Sequence, residues 1–174
     1  TGCTKFGVDA DADTYSDSSK PTQCLCKSTG TLTGTKDGDC NDKNNLMNPG
    51  VPELCDGVDN NCNGAVDEGC DGDKDGYCTS AMITIGKPAI CPKGGGDCND
   101  ANIKINPGQT EDCSTVADDN CNGLVDEDYV PEATGCGVGA CHASGHTACV
   151  SGGVVDSCHA GAPTANDATC NGSD

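Results

Sequence analysis

Two stretches of this chain, residues 38–70 and 96–128, repeat one pattern: Asp-Cys-Asn-Asp, then Asn-Pro-Gly, a close pair of cysteines, and a closing Asn-Gly-x-Val-Asp-Glu. The copies share oxygen donors, turn residues and sulfur, and almost nothing that would line an apolar core. A chain built this way must fold around cross-links and bound ions, because it has little else to bury. Its 174 residues include one Phe, three Tyr and no Trp, so the side chains that dominate ordinary core burial are nearly missing. Seventeen Cys and 25 Gly fit a disulfide scaffold of short loops, which forms in an oxidising, extracellular compartment. The irregular Cys spacings argue against a cytosolic metal–thiolate protein.

With 28 acidic against nine basic residues, the formal charge is -19. Such a surface repels nucleic acid and anionic membrane, and a compact chain would repel itself. Bound cations are the natural compensation. No apolar run approaches transmembrane length, so membrane insertion is not expected. The chain begins at Thr1 and reads as a mature or excised piece.

Cys40 to Cys98 spans 58 positions and Cys62 to Cys121 spans 59. This period divides the chain into an acidic Cys-rich module at 1–70, a second at 71–128, a Cys/Gly-rich spacer at 129–163 and the start of a truncated third module at 164–174. The stretches at 16–37 and 79–95 differ between copies because they lie between the liganding segments. In the spacer, residues 147–150 and 154–158 flank Ser-Gly-Gly and read as a β-hairpin.

Asp71, Asp73 and Asp75 take the first, third and fifth places of a tight loop, with Gly76 sixth and the Tyr77 carbonyl seventh. A hard divalent cation such as calcium wants six to eight oxygens, and alternating positions supply them. Asp9, Asp11, Asp13 and Tyr15 match this in the first copy, but Thr14 replaces the turn-permitting Gly, so that site is expected to be weaker or differently shaped. A second loop type offers Asp59, Asn61, Asn63, Asp67 and Glu68, and in the other copy Asp118, Asn120, Asn122, Asp126 and Glu127. Neither is an EF-hand: the twelfth position, usually a bidentate Glu, falls on Met82, Cys70 and Tyr129. Asp39, Asp42, Asp97 and Asp100 recur in register and are the best sources of the missing carboxylates.

Cys55 with Cys62, and Cys113 with Cys121, are separated by loops short enough for a disulfide to fix each Asp-Asn turn, although spacing alone leaves the connectivity open. Seventeen is odd, so one cysteine must lack a partner within the chain; Cys3 and Cys170 stand out. Joining the two ends would leave six residues between them, as between Cys55 and Cys62, which points to head-to-tail self-association or tandem repeats. Asn171-Gly-Ser is a glycosylation acceptor by pattern, and residues 28–35 are hydroxyl-rich, suiting O-linked glycans or an edge strand. His142, His146 and His159 offer a copper or zinc site. Ser144 lacks a nucleophile elbow, and no acid–base arrangement supports an enzyme.

Gly-Asp-Cys-Asn-Asp, Asn-Pro-Gly, Glu, Cys, Asp-Gly-Val-Asp-Asn-Asn-Cys-Asn-Gly and Val-Asp-Glu resemble the MopE-type metal-binding repeats of secreted bacterial surface proteins. The resemblance covers most of residues 9–128. Residues 136–158, with Cys-Gly-Val-Gly-Ala-Cys, are similar to spacers between such repeats. The family implies calcium-stabilised extracellular repeats, with copper bound in some members through His and an oxidised Trp, and this chain has no Trp. The expected fold is therefore small disulfide- and calcium-stapled repeat modules, mostly irregular loops with short β-hairpins and little helix. The expected function is a non-enzymatic extracellular structural repeat protein holding about four to six calcium ions. It would serve as a surface array, stalk or filament subunit with an adhesive role, the alternative being a copper- or zinc-scavenging secreted protein.

Overall fold

A computed structural model describes residues 2–162. Among them are ten short strands and a single 3-10 turn at Gly139–Cys141. The described residues form two compact units that meet in sequence at Ala101 and Asn102.

In the first unit, β1 (Thr4–Val8) lies between β3 (Gln23–Leu25) and β4 (Leu32–Gly34), antiparallel to both. The hydroxyl-rich stretch thus supplies an edge strand. Beside this sheet, β2 (Tyr15–Asp17) pairs with β5 (Lys36–Asp39) in parallel, setting Tyr15 opposite Lys36 and Asp17 opposite Asp39. The second copy builds the same ladder: β6 (Tyr77–Thr79) runs parallel to β7 (Gly94–Asp97), with Thr79 opposite Asp97. Parallel neighbours need a crossover of a dozen or more residues, most often a helix. Here the crossovers are the two variable stretches, held by Cys3–Cys24 and Cys78–Cys91.

The interior follows the composition. Cys55, Cys70, Cys78 and Cys91 are fully buried as the bridges Cys55–Cys70 and Cys78–Cys91, with Met82 packed against them. The other buried side chains are mostly polar, among them Asp9, Asp39, Asp42, Asp75 and Asp97, while Leu46, Ile83 and Val130 stay in solvent. This inverts the usual sorting of residue types, in which unpaired acids are almost never buried.

In the second unit, β8 (Ala133–Cys136), β9 (Ala143–Cys149) and β10 (Val154–Asp156) form an antiparallel sheet with β9 central. The expected hairpin is present, Cys149 facing Val154 across Ser-Gly-Gly. Bridges Cys136–Cys158 and Cys113–Cys149 tie the sheet to itself and to the preceding acidic turn.

Cysteine pairing differs from the short-loop expectation. Cys55 reaches past Cys62 to Cys70, and Cys62 joins Cys40. Cys113 joins Cys149, and Cys121 is bonded elsewhere than to Cys113. The reason is local: Cys62 and Cys121 sit in left-handed backbone, φ 57° and 58°, at the tip of a turn whose own hydrogen bonds set its shape. Each bridge therefore ties that turn to a distant segment. Cys3, expected to look outside the chain, bonds Cys24, and among the described residues the exposed Cys26 is free. Cys170 and Asn171 lie outside the described residues.

Candidate metal centres

The first cage forms at the bend between β1 and β2. Asp9, Asp11 and Asp13 alternate along it, and one carboxylate oxygen from each lies within 4.8 Å of the others. Asp9 closes the bend, its Oδ1 accepting the Asp13 amide and its Oδ2 the Thr14 amide, both at 3.2 Å. Asp13 Oδ1 accepts the Tyr15 amide at 2.7 Å. The parallel ladder then delivers the remaining acids. Asp39 ends β5 and Asp42 follows, its Oδ1 accepting the Ala10 amide at 2.6 Å. Carboxylate oxygens of Asp11, Asp39 and Asp42 form a second set within 4.8 Å.

The second cage repeats this construction. Asp71, Asp73 and Asp75 converge within 4.8 Å, with Asp71 accepting the Lys74 amide at 2.7 Å and the Gly76 amide at 3.1 Å. Asp97 ends β7 with no exposed surface, and Asp100 accepts the Gly72 amide at 2.6 Å. Tyr15 and Tyr77 open β2 and β6 just after the bends, their rings beneath Lys36 and Lys93 at 4.8 and 5.2 Å. The structure thus brings Asp39 and Asp42 to the first bend, and Asp97 and Asp100 to the second.

The electrostatics of both cages are unbalanced. Buried oxygens with no hydrogen-bond partner include both of Asp11, Oδ2 of Asp13 and Oδ2 of Asp39; in the second cage they are Oδ2 of Asp73, Asp75 and Asp97. Burial, reinforced by Asp13, Asp11 and Asp42, pushes the Asp39 carboxyl above its ordinary range. Burial, reinforced by Asp75, Asp73 and Asp100, does the same to Asp97, and Asp11 and Asp73 are raised on the same grounds. Buried charge without a partner is costly, and the remedies are a counter-ion or a metal. These donors are all hard oxygens, the set suited to cations such as calcium or magnesium rather than to soft metals.

The second loop type forms two acidic turns with a different economy. Asp59 accepts the amides of Asn63 at 3.1 Å and Gly64 at 2.8 Å, and Asp118 those of Asn122 at 3.0 Å and Gly123 at 2.7 Å. Glu68 Oε1 receives the side-chain amides of Asn61, at 2.7 Å, and Asn63. Glu127 receives those of Asn120, at 2.9 Å, and Asn122. These amides, with Asn61 and Asn120 contributing most, hold Glu68 and Glu127 below the usual carboxylate range. Two acids and two amides converge here, a less charged set than either cage.

Asp67 is spent on structure: its Oδ1 accepts the amides of Asp56 at 2.9 Å and Gly57 at 2.8 Å. Its counterpart Asp126 keeps a buried, unpartnered Oδ1. Cys113 to Cys121 spans one position more than Cys55 to Cys62, and the Ser114 amide turns to Asp112 instead, at 3.0 Å.

Two residues that matter escaped the ligand patterns. Glu53 accepts the amides of Asn61 at 3.1 Å, Asn60 at 3.3 Å and Asp67 at 3.4 Å, and Glu111 those of Asn120 and Asp126, both at 3.0 Å. Each clamps the two limbs of its turn. Their signal was register: both stand two places before a cysteine of the repeat, a position suggestive of neither a loop ligand nor a cap. Close sulfur groups such as Cys55–Cys70–Cys78 are oxidised bridges and offer no thiolate. Among the described residues, His142, His146 and His159 join no cluster of three ligating side chains, and His159 Nδ1 lies 2.8 Å from the Ser157 carbonyl.

A family model described as "Putative metal-binding motif", of the copper-binding MopE type, matches residues 39–68, 65–75 and 97–127. Comparison with curated proteins and with solved structures gave no match. The matched residues include both acidic turns, Asp71–Asp75 of the second bend and the aspartates that end β5 and β7. No helix among the described residues is long and apolar enough to cross a membrane. The motif and the many bridges together point to a metal-binding, extracellular protein. Three stretches of this chain are thus similar to the MopE-type metal-binding motif.

Proposed function

We propose that this is an extracellular calcium-binding structural repeat protein, a subunit of a surface array, stalk or filament, and not an enzyme. The observation that carries the reading is the pair Asp39 and Asp97. They are equivalent in the two modules, almost wholly buried, and each keeps an unpartnered oxygen while the aspartates of its bend act on its charge. A cation completes such a cage, and a chain whose interior is carboxylate and disulfide depends on it for stability. Each site adds about 4 kcal/mol when free calcium is 1,000-fold above its dissociation constant, provided the unfolded chain does not bind.

A mechanical or adhesive role follows from what such a fold does well: short modules made rigid by ions and bridges, with the aliphatic side chains of Leu46, Ile83 and Val130 exposed for contact. Head-to-tail association between copies, or with further repeats, is part of the same reading, and glycans would sit on its surface.

The family's association with copper favours one competitor, a scavenger using His142, His146 and His159. Thermal unfolding in calcium and in a calcium-selective chelator separates them. Calcium is expected to raise the midpoint by tens of degrees, with most of the gain lost in Asp39→Asn plus Asp97→Asn. An unchanged midpoint, with copper or zinc bound and then lost on replacing the three His, would make the scavenger the better description.

A further inference from the structure

We infer that the first cage is dinuclear: one divalent cation sits in the triad Asp9, Asp11 and Asp13, a second in the triad Asp11, Asp39 and Asp42, and the Asp11 carboxylate bridges them. This rests on the cation-binding reading above and extends it to number and arrangement.

The carboxylate oxygens of the five residues fall into two sets, each spanning no more than 4.8 Å, with Asp11 common to both. Two ligands of one calcium, each about 2.4 Å from it, are separated by no more than about that distance. Each set is therefore the footprint of one ion. The other four acids have committed oxygens to the protein. Asp9 uses both on loop amides, Asp13 one on Tyr15, Asp39 one on the Asn41 amide at 2.6 Å, and Asp42 one on Ala10. Asp11 alone keeps both oxygens buried and unpartnered, one for each ion. Asp39, 1% exposed, belongs to the second set and keeps its Oδ2 buried without a partner.

Charge agrees. Two divalent cations offset four of the five carboxylates, and the Lys20 ammonium, shared between Asp17 at 2.7 Å and Asp42 Oδ2 at 3.4 Å, lies beside the fifth. A single ion would leave the buried cluster with a net negative charge, which burial penalises. The second cage provides an internal contrast: among the described residues Asp71, Asp73 and Asp75 form a set within 4.8 Å, and Asp73 forms no second set with Asp97 and Asp100. It takes one ion in its bend.

Native mass spectrometry of the full non-reduced chain in calcium tests this through Asp13→Ala, Asp42→Ala and the double variant. Each single change is expected to remove one ion and the double change two. A double variant that loses only one overturns the inference while leaving the calcium reading intact. A wild-type chain without calcium overturns both. If the variants do not fold, anomalous diffraction from crystals of the unaltered chain grown in manganese decides the matter. Two peaks about 4 Å apart beside Asp11 are expected, and one peak there refutes the bridge.

Discussion

Thr14 and Gly76 hold the same place in the two cages, and the backbone treats them alike, with φ of 81° and 90°. The residues two places earlier agree as well, Ala12 and Lys74 both at 67°. Sequence alone suggested that Thr14 would weaken or reshape its site. The shape is instead kept, and the cost is strain, since a β-branched residue in left-handed backbone sits close to its own carbonyl. Thr14 is exposed, and its backbone carbonyl accepts the amides of Thr35 and Lys36, an interaction that glycine preserves. Thr14→Gly is expected to stabilise the protein by about 1 kcal/mol, relief of strain being partly offset by the freer unfolded chain. Gly76→Thr should cost a similar amount. Denaturant midpoints measure both, and a destabilised Thr14→Gly would show that the threonine side chain contributes an interaction of its own.

At the scale of the element, each cage is a bend plus a three- or four-residue parallel ladder, and neither half suffices. The bend supplies alternating carboxylates, while the ladder lifts Asp39 or Asp97 out of solvent, where those carboxylates act on its charge. The pH dependence of the ion-free state follows. Asp39 and Asp97 have folded pKa values raised above the ordinary carboxylate range, so when ionised they oppose folding. That opposition is full at neutral pH and fades as pH falls through their folded pKa toward the unfolded value of about 3.9. In chelator, the unfolding midpoint should therefore rise as pH falls from neutrality toward about 4; in calcium it should fall, because protons compete with the ion. Asp39→Asn plus Asp97→Asn should flatten the chelator trend, and an unaltered slope would mean that other carboxylates set it. Asp17 has the opposite sign: hydrogen bonds from Lys20 and Ser19 lower it to about 2, so its support is lost only as pH drops through that value, below the window tested.

For the molecule as a whole, sulfur takes the place of a core. A bridge closing a 15-residue loop contributes about 3 kcal/mol by restricting the unfolded chain, and Cys55–Cys70 closes a separation of 15. Each acidic turn is bridged to a segment well beyond its own loop, Cys40 to Cys62 and Cys113 to Cys149. In the first unit the bridge ties an acidic turn to the end of β5 beside the first cage, and in the second it ties an acidic turn to β9. Alkylation of the native, non-reduced protein followed by peptide mapping should modify Cys26 and leave Cys3 and Cys24 protected. Modification of Cys3 would show that the Cys3–Cys24 bridge is not formed.

The sequence by itself determined the chemistry: which acids recur in register, that sulfur and carboxylates take the place of apolar burial, and that the spacer carries a hairpin. These were legible because loop ligands and turn residues act over a few positions, where spacing is geometry. The bridge partners were not, because a disulfide depends on which distant loops pack together, and Cys55 had Cys62 much nearer in sequence than its true partner Cys70. The parallel ladders were equally hidden: Gly94-Gly-Gly-Asp97 has no strand propensity and no alternation. Only the tertiary structure revealed Glu53 and Glu111 as clamps, Asp67 as a structural acceptor and Asp11 as the shared member of two triads. Each of those roles depends on which backbone amides have already taken a carboxylate's oxygens, and that is settled only once the chain has folded.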